Sequence, residues 1–315
     1  MKPWNTTFEL KGKLTTLLRR ISFCVLVLVA QPLHSQAIAV TFDDLPAHSV
    51  LPPGQTRIEV AQAVIRALQE ADVPSIFGFV NGVRIQEQPE DAAVLDLWRK
   101  SGNKLGNHTW SHMNLNEHTA EEFEADLLRN EQQITPYAQG FDWRWLRFPY
   151  LAEGETPQKR DAVRQFLAAH HYKIAAVTMS FGDYLWNEPY ARCSAQGNDK
   201  AIQELEASYL KAASDDADYR RQLARALFGH DIPYVLLMHI GAFDAHMLPR
   251  LLAMYRSHGF HFISLAEAEK DPFYSNDIDP LLPGVPDTLE AAAAARHLPP
   301  IKHPVDGPPA NALCQ

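Results

Sequence analysis

Short apolar runs alternate with helix-like stretches along most of this chain, and no other feature of the sequence constrains the fold as strongly. The runs lack the polar alternation of half-exposed strands and are typical of strands buried on both faces. Strand–helix units repeated in this way build parallel sheets with right-handed crossovers. About seven units favour a closed barrel, with an open doubly wound sheet as the alternative. The predicted strands are residues 37–41, 75–80, 104–107, 141–148, 172–178, 234–238 and 260–265.

Three helix starts carry recognisable signals. Thr56 with Glu59, and Thr119 with Glu122, form capping boxes. Pro157 stands at the first helical position of a third helix. The other predicted helices are residues 91–100, 201–213, 216–228 and 245–255, and an Ala-rich segment around 289–296.

The chain of 315 residues is 46% hydrophobic, which is enough for one large core. We therefore expect a single domain over residues 38–270, in which residues 184–232 form a helical insertion near the mouth of the fold. Residues 271–315 are rich in proline. We expect this tail to wrap the outside of the domain or to be partly disordered.

Residues 1–37 have the pattern of a secretory signal peptide. Basic residues precede an apolar run at 21–30, which is too short to span a bilayer comfortably, and small residues follow in Ser35-Gln36-Ala37. We expect cleavage of this segment, no stable membrane span afterwards, and a secreted or periplasmic location. An uncleaved N-terminal anchor is the alternative.

Charge and cysteine content bear on partners and on covalent structure. The net charge is −9 and the basic residues form no long stripe outside the N-terminus, so nucleic acid is not an expected partner. Cys24 would leave with the signal peptide. Cys193 and Cys314 would remain in a compartment that permits a disulfide, and the sequence leaves open whether they pair. It also leaves the oligomeric state open.

Polar residues gather at or just after the C-terminal ends of the predicted strands. In a parallel barrel these ends converge on one face, where such folds place their chemistry. His108 and His112 lie four residues apart, on the same side of one helical turn, and imidazole is a common ligand of zinc-like metals. This pair is a candidate for half of a metal site, and two polar residues capping a loop are the alternative. The residues at the strand ends are Asp43, Asp44, His108, His112, Arg147, Asp183 and His239.

Two other classes of hydrolase fit poorly. A zinc protease with a His-x-x-x-His pair needs glutamate after the first histidine, where this chain has Thr109. A serine hydrolase of the α/β class needs a Gly-x-Ser-x-Gly turn, which the sequence lacks.

Four motifs in order give a more specific indication. They are Thr41-Phe42-Asp43-Asp44-Leu45-Pro46, His108-Thr109-Trp110-Ser111-His112, Arg147-Phe148-Pro149-Tyr150 and Leu237-Met238-His239. Over roughly residues 38–265 this set resembles that of the polysaccharide deacetylases, the NodB-homology enzymes of carbohydrate esterase family 4. The resemblance implies one catalytic domain with a distorted (β/α) barrel fold.

The resemblance also implies a metal site and a catalytic base. Asp44, His108 and His112 would bind a divalent metal ion and leave positions open for water and substrate. Zinc suits these ligands, and cobalt or nickel would fit the same set. Asp43 would act as the general base that activates water, and Arg147 would hold it ionised. For Arg147 the alternative is an ordinary surface ion pair.

A general acid is implied at His239, which would protonate the leaving group. Asp183 would hydrogen-bond that histidine, although Gly182-Asp183-Tyr184 departs from the family pattern of two Asp followed by Trp. The alternative for Asp183 is a polar residue at a strand end.

Substrate contacts are implied at the backbone N–H of Tyr150, which would help to stabilise the oxyanion. Leu237, with Tyr184 or Trp186, would form a wall for the acetyl methyl group. Trp110 is a further candidate for an aromatic cleft, with Trp143, Trp145, Trp186 and Tyr190. Core packing is the alternative for these aromatics.

Two positions depart from the family pattern next to these motifs. Leu45 stands where the family usually has glycine and would narrow the approach to the metal site. Leu151 stands where a small or basic residue is common.

The function implied is metal-dependent removal of acetyl groups from N-acetylated polysaccharide of the chitin or peptidoglycan type, with release of acetate. The partner would be an acetylated polysaccharide or oligosaccharide. The alternatives are an esterase for O-acetyl groups of xylan and a secreted carbohydrate-binding protein without activity. The last of these predicts loss of the base or the acid, whereas Asp43 and His239 are both present.

Overall fold

The computed structural model describes residue 1, residues 36–282 and 288–304, residues 307 and 308, and Cys314. Most of the predicted signal peptide, residues 2–35, lies outside this part. The chain divides into two units, residues 1–34 and 35–315, and the elements below belong to the second, taken by itself. No helix in the described part is both long and apolar enough to cross a membrane.

The second unit alternates strands with helices, as the apolar pattern predicts. The strands are β1 (Gln36–Leu45), β2 (Phe77–Val80), β3 (Lys104–Asn107), β4 (Trp145–Leu146), β5 (Lys173–Ile174), β6 (Tyr234–His239) and β7 (Phe260–Ile263). The helices are α1 (Arg57–Glu70), α2 (Gly82–Glu87), α3 (Ala92–Lys100), α4 (Ala120–Ile134), α5 (Pro157–Ala169), α6 (Asn187–Ala195), α7 (Asp199–Phe228), α8 (Ala242–Ser257), α9 (Leu265–Ala268), α10 (Ser275–Ile278) and α11 (Leu289–Ala295).

All seven strands pair in parallel in one sheet. Six follow the order β5-β4-β3-β2-β1-β6, and β7 pairs with β1. Residues 38–43 of β1 pair with β6 along one edge, while residues 36–39 pair with β7 and residues 41–45 with β2 along the other edge. The chain beyond β5 then returns to β6, where Met179 forms a bridge with Leu236. Because this bridge replaces a regular last strand, the sheet closes into a distorted (β/α) barrel, which confirms the predicted fold class.

The helix starts follow their predicted signals. Thr56 and Thr119 cap α1 and α4, each with a complete capping box, and Thr156 caps α5 with proline in its first turn. Each cap satisfies backbone N–H groups that have no partner inside the helix.

Several predicted boundaries differ from the structure. Strands β4 and β5 have only two residues each, whereas the predicted strands covered residues 141–148 and 172–178. The two helices predicted at 201–213 and 216–228 are one helix, α7, in which the buried Asp216 pairs with Arg220 one turn later. Strand β1 includes Gln36 and Ala37, so cleavage after residue 37 would remove its first two residues.

The described part of the tail packs on the barrel. Tyr274 is fully buried and donates a hydrogen bond to the carbonyl of Pro233, and Leu289 of α11 is also buried. Cys314 forms a disulfide with Cys193 of α6 across 121 residues of sequence. The pairing that the sequence left open is therefore present.

A buried amide joins the ends of β2 and β3, where the polar residues gather. Asn130 of α4 donates to the carbonyl of Val80 at 2.6 Å and to Asn107 Oδ1 at 2.8 Å, and it accepts from the N–H of Gly82 at 2.9 Å. Its side chain therefore fixes the backbone at the end of β2 and the side chain of Asn107, the residue before His108.

We expect Asn130→Ala to lower the free energy of unfolding by about 3 kcal/mol, because it leaves buried donors and acceptors without partners. Urea denaturation measures the change. Gln132→Ala, at an exposed position of the same helix, is the matched control and should change stability by less than about 0.5 kcal/mol. Equal stabilities of the two variants would contradict this account of Asn130.

Candidate active site

The predicted strand-end residues meet at one end of the barrel. Asp43, Asp44, His108, His112 and His239 line a cavity of about 550 Å³. Arg147 and Asp183 are fully buried behind its wall. Parallel topology is the reason, because β1, β3, β4 and β6 all end at this face.

Three ligand atoms in this cavity lie close enough to share one cation. Asp44 Oδ1 is 3.5 Å from His108 Nε2 and 3.6 Å from His112 Nε2, and all three atoms lie within 4.8 Å of one another. Tetrahedral ligands held about 2.1 Å from a zinc ion are about 3.4 Å apart. The spacing therefore fits a divalent metal ion between them.

Protonation of the imidazoles supports the same fit. His108 Nδ1 lies 2.7 Å from the carbonyl oxygen of Arg147, which can only accept, so Nδ1 carries a proton and, in the neutral ring that binds metals, the lone pair is on Nε2. That lone pair faces Asp43 Oδ2 at 3.6 Å and Asp44 Oδ1 at 3.5 Å. Acceptor atoms facing one another in a buried site need a cation between them.

The other two ligand groups are also in the protonation state that a metal requires. Burial, with repulsion from His108, lowers the pKa of His112 to about 4 against the attraction of Asp44, so His112 is neutral near pH 7. Burial opposes ionisation of Asp44, but its hydrogen bond with His48 and attraction to the neighbouring imidazoles hold its pKa well below the usual range. A neutral imidazole and an ionised carboxylate are the forms that bind metals.

The turn that carries the two imidazoles is a loop, so the predicted helical turn is wrong. Thr109 and His112 have φ angles of 59° and 57°, in the left-handed region. Asn107 Oδ1 accepts from the N–H of Thr109, and Asn81 Nδ2 donates to the carbonyls of His108 and Thr109. These buried amides offset the strain and bring the two rings to a centroid distance of 4.8 Å.

Asp43 and Arg147 form a buried ion pair. Arg147 Nη1 donates to Asp43 Oδ1 at 3.0 Å and to Oδ2 at 3.2 Å, and both side chains are almost fully inaccessible to solvent. The alternative of a surface ion pair is therefore wrong.

His239 and Asp183 form a second pair, and His239 lies beside Asp43 on the neighbouring strand. Asp183 accepts from the backbone N–H of His239 at 2.6 Å and lies 2.9 Å from its Nδ1. Burial alone would lower the pKa of His239, but the charge and hydrogen bond of Asp183, together with Asp44 and Asp43, raise it to about 10. The imidazole is therefore protonated at neutral pH.

A sequence model of the polysaccharide deacetylase family matches residues 30–175, which include Asp43, Asp44, His108, His112 and Arg147. Residues 30–175 therefore carry the sequence of a polysaccharide deacetylase domain. Over 119 residues it is 25% identical to a peptidoglycan-N-acetylglucosamine deacetylase of Bacillus cereus, and the match spans 38% of this chain and 38% of that protein.

Two solved structures resemble this chain in fold. One is a family 4 acetyl xylan esterase from Clostridium thermocellum in complex with a cobalt ion, at 17% identity and a TM-score of 0.52, covering 79% of this chain and 97% of that chain. The other is a CE4 family pseudoenzyme from Bacillus anthracis, at 15% identity and a TM-score of 0.51, covering 75% of this chain and 66% of that chain. At these identities the likeness concerns the fold alone.

Among the aromatic and apolar candidates, Tyr150, Tyr184 and Leu237 line the cavity. Tyr150 and Tyr184 are 67% and 45% exposed. Trp186 and Trp110 are not brought to the cavity wall. The fully buried Trp186 packs against Phe181 and Tyr209, and Trp110 lies under the guanidinium of Arg129.

The other predicted cleft aromatics pack in the same way. Trp143 and Trp145 are buried core residues, and Tyr190 packs against Phe243 and His246. Core packing therefore accounts for them.

Leu45 does not narrow the approach to the site, contrary to the expectation from the sequence. Its side chain is fully buried and fills the space over Gly78 of β2. A Cβ at position 78 would lie 2.6 Å from Leu45 Cδ2 and 2.9 Å from Trp98. The absence of a side chain at Gly78 therefore leaves the space that Leu45 occupies. Leu151, the other departure, lines the cavity.

One histidine of the deacetylase domain escaped the sequence analysis. His48 lines the cavity, and its Nδ1 lies 2.8 Å from Asp44 Oδ2. The only sequence signal was its position four residues after Asp44, in a loop whose course no periodic pattern predicts.

We expect Asp183→Asn to lower the pKa of His239 by roughly 2 units. The substitution removes the negative charge that raises this pKa against the lowering effect of burial. NMR titration of the imidazole measures the shift. Asp231→Asn, at a position outside the cavity lining, is the control and should leave the pKa unchanged. An unaltered pKa in Asp183→Asn would contradict the assigned pairing.

The His239–Asp183 pair also makes the free energy of unfolding depend on pH in a predictable direction. Since the folded-state pKa of His239 lies above its ordinary value of 6.5, the contribution of the pair is complete below pH 6.5 and is lost as the pH rises towards 10. Over that window the stability of Asp183→Asn should therefore fall less steeply than that of the wild type.

Proposed function

We propose that this protein is a metal-dependent hydrolase that removes acetyl groups from N-acetylated polysaccharide and releases acetate. One observation carries the proposal: three acceptor atoms of Asp44, His108 and His112 face one another beside the buried Asp43–Arg147 pair. A carboxylate and two imidazoles leave further coordination positions for water and substrate, as a catalytic site requires.

Asp44, His108 and His112 would hold the ion, with zinc as the metal that best suits the donor set and cobalt or nickel as substitutes. When bound, the ion would polarise the acetyl carbonyl and ease the deprotonation of water.

Asp43 is the proposed general base. Arg147 orients its carboxylate, and Asp43 Oδ2 faces the proposed metal ligands at 3.6 Å from His108 Nε2. A base in this position accepts a proton from the attacking water without needing to move.

His239 is the proposed general acid. Its Nδ1 is engaged by Asp183, so the proton at Nε2 is the one it can deliver to the leaving nitrogen. Asp183 acts through His239 and is therefore a positioning residue. The backbone N–H of Tyr150 would help to stabilise the oxyanion, and Leu237 and Tyr184 would contact the acetyl group.

Retention of both proton-transfer groups supports activity over binding alone. A neighbour in fold is described as a pseudoenzyme, so the barrel by itself does not decide the matter. In this chain the base Asp43 and the acid His239 are both held at the cavity by buried partners.

The proposed substrate is a glycan of the chitin or peptidoglycan type. The curated relative is named a peptidoglycan-N-acetylglucosamine deacetylase, which supports N-acetyl chemistry. A fold neighbour is named an acetyl xylan esterase, and removal of O-acetyl groups is the competing outcome. A polymer outside the cytoplasm agrees with the proposed signal peptide and with a secreted or periplasmic location.

We expect acetate release from N-acetylglucosamine oligomers to exceed release from acetylated xylan. Dialysis against a chelator should abolish it, and zinc or cobalt should restore it, because Asp43 and His239 need a polarised carbonyl to act on. Enzymatic measurement of acetate provides the readout. Full activity after complete metal removal would overturn the proposed mechanism, and faster release from xylan would make the protein an O-acetyl esterase.

Asp43→Asn should reduce turnover by about 10²–10⁴-fold, because the amide cannot accept the proton from water. Bound metal, measured by elemental analysis, should remain near the wild-type amount. Asp44→Asn is the matched comparison and should lose the metal. The reverse pattern would mean that the roles of the two carboxylates are exchanged.

A further inference from the structure

His48 is a residue of the cavity to which the proposed mechanism assigns no task. Its side chain is 19% exposed, and its ring centroid lies 4.8 Å from that of His239 and 6.1 Å from that of Tyr184. It therefore lies between the metal-binding side of the cavity and the general acid.

The two carboxylate oxygens of Asp44 have different partners, because only one of them is hydrogen-bonded to His48. Oδ2 lies 2.8 Å from His48 Nδ1, whereas Oδ1 faces His108 Nε2 and His112 Nε2 at 3.5 and 3.6 Å. An ionised carboxylate can only accept hydrogen bonds, so Nδ1 is the donor. One oxygen is thus held by protein and the other is left for a metal ion.

The loop that carries His48 is itself held in place. Arg57, the first residue of α1, donates to the carbonyl of His48 at 2.7 Å and also to the carbonyl of Ser49. Asp44 and Ser49 have left-handed φ angles of 62° and 59°. Conformations this costly persist only where surrounding contacts fix them, so the position of His48 is built into the fold.

We propose that His48 is a positioning residue for the metal site: its Nδ1–H holds Asp44 Oδ2 so that Oδ1 alone is presented between the two imidazoles. Groups that hydrogen-bond to a ligand commonly set its orientation and raise metal affinity. The inference deepens the proposed function and rests on the metal site proposed there.

Two variants with amide side chains, His48→Asn and His48→Gln, test whether the hydrogen bond to Asp44 matters or only the presence of a polar side chain. In asparagine the amide nitrogen is as many bonds from Cα as Nδ1 is in histidine, whereas in glutamine it matches Nε2. His48→Asn therefore keeps a donor for Asp44, while His48→Gln and His48→Ala do not.

The test is zinc affinity of the metal-free proteins, measured by titration against a competing chelator. We expect His48→Ala and His48→Gln to bind zinc about 10–100-fold more weakly than the wild type, and His48→Asn to remain within about threefold of it. Bound cobalt should show an altered visible absorption spectrum in the first two variants only. His118→Ala, at a half-exposed histidine on the surface, is the control and should bind zinc as the wild type does.

Each contrary result has its own meaning. Wild-type affinity in His48→Ala and His48→Gln would overturn the role of His48 and leave the proposed metal site intact. Weak binding by His48→Asn, with an unchanged thermal transition of the metal-free protein, would also overturn it, since the donor would then not be the group that matters. A wild-type protein that binds no metal would overturn the proposed function together with this inference.

Discussion

The buried guanidinium of Arg147 is the interaction on which the rest of the site depends. It donates to Asp43 and Thr41 of β1 and to the carbonyls of Ala175 and Ala176 after β5, and it lies over the ring of Phe79 in β2. One side chain thus joins three of the strands. The carbonyl of the same residue accepts from His108 Nδ1, so Arg147 also sets the tautomer of a proposed metal ligand.

A buried ion pair of this kind is weak evidence for stability, because desolvation of two charges offsets most of their attraction. In this protein the ion pair serves mainly to orient the Asp43 carboxylate. With Asp43 held on one side and the carbonyls of Ala175 and Ala176 on the other, the guanidinium has little freedom to rotate, and the carboxylate it holds faces the cavity. The interaction therefore contributes more to the geometry of the proposed base than to the net free energy of unfolding.

The sequence predicted those features that depend on local chemistry. Buried apolar runs gave the strand order along the chain, and the capping residues at Thr56 and Thr119 gave two helix starts. It failed at Ser214-Asp215-Asp216, where a polar run looks like the start of a new helix. Asp216 faces inward and pairs with Arg220, and Lys211 pairs with Asp215, so both charges are satisfied within one continuous helix. The two pairs are local, but the burial of Asp216 depends on tertiary packing, which the sequence pattern does not show.

The same distinction explains the site. Motifs at strand ends identified Asp43, Asp44 and the paired histidines, because parallel strands must bring those ends together. His48 was beyond reach, since its place depends on Arg57 and on left-handed backbone at residues that do not favour it. Each such residue costs of order 1–3 kcal/mol and is tolerated only where other contacts compensate. Four of them, Asp44, Ser49, Thr109 and His112, are proposed metal ligands or lie close to them in the sequence, where buried amides and the Arg57 guanidinium hold the backbone. The ligand positions are therefore set by the fold before any ion binds, so the free energy of metal binding need not be spent on ordering the loops that hold it.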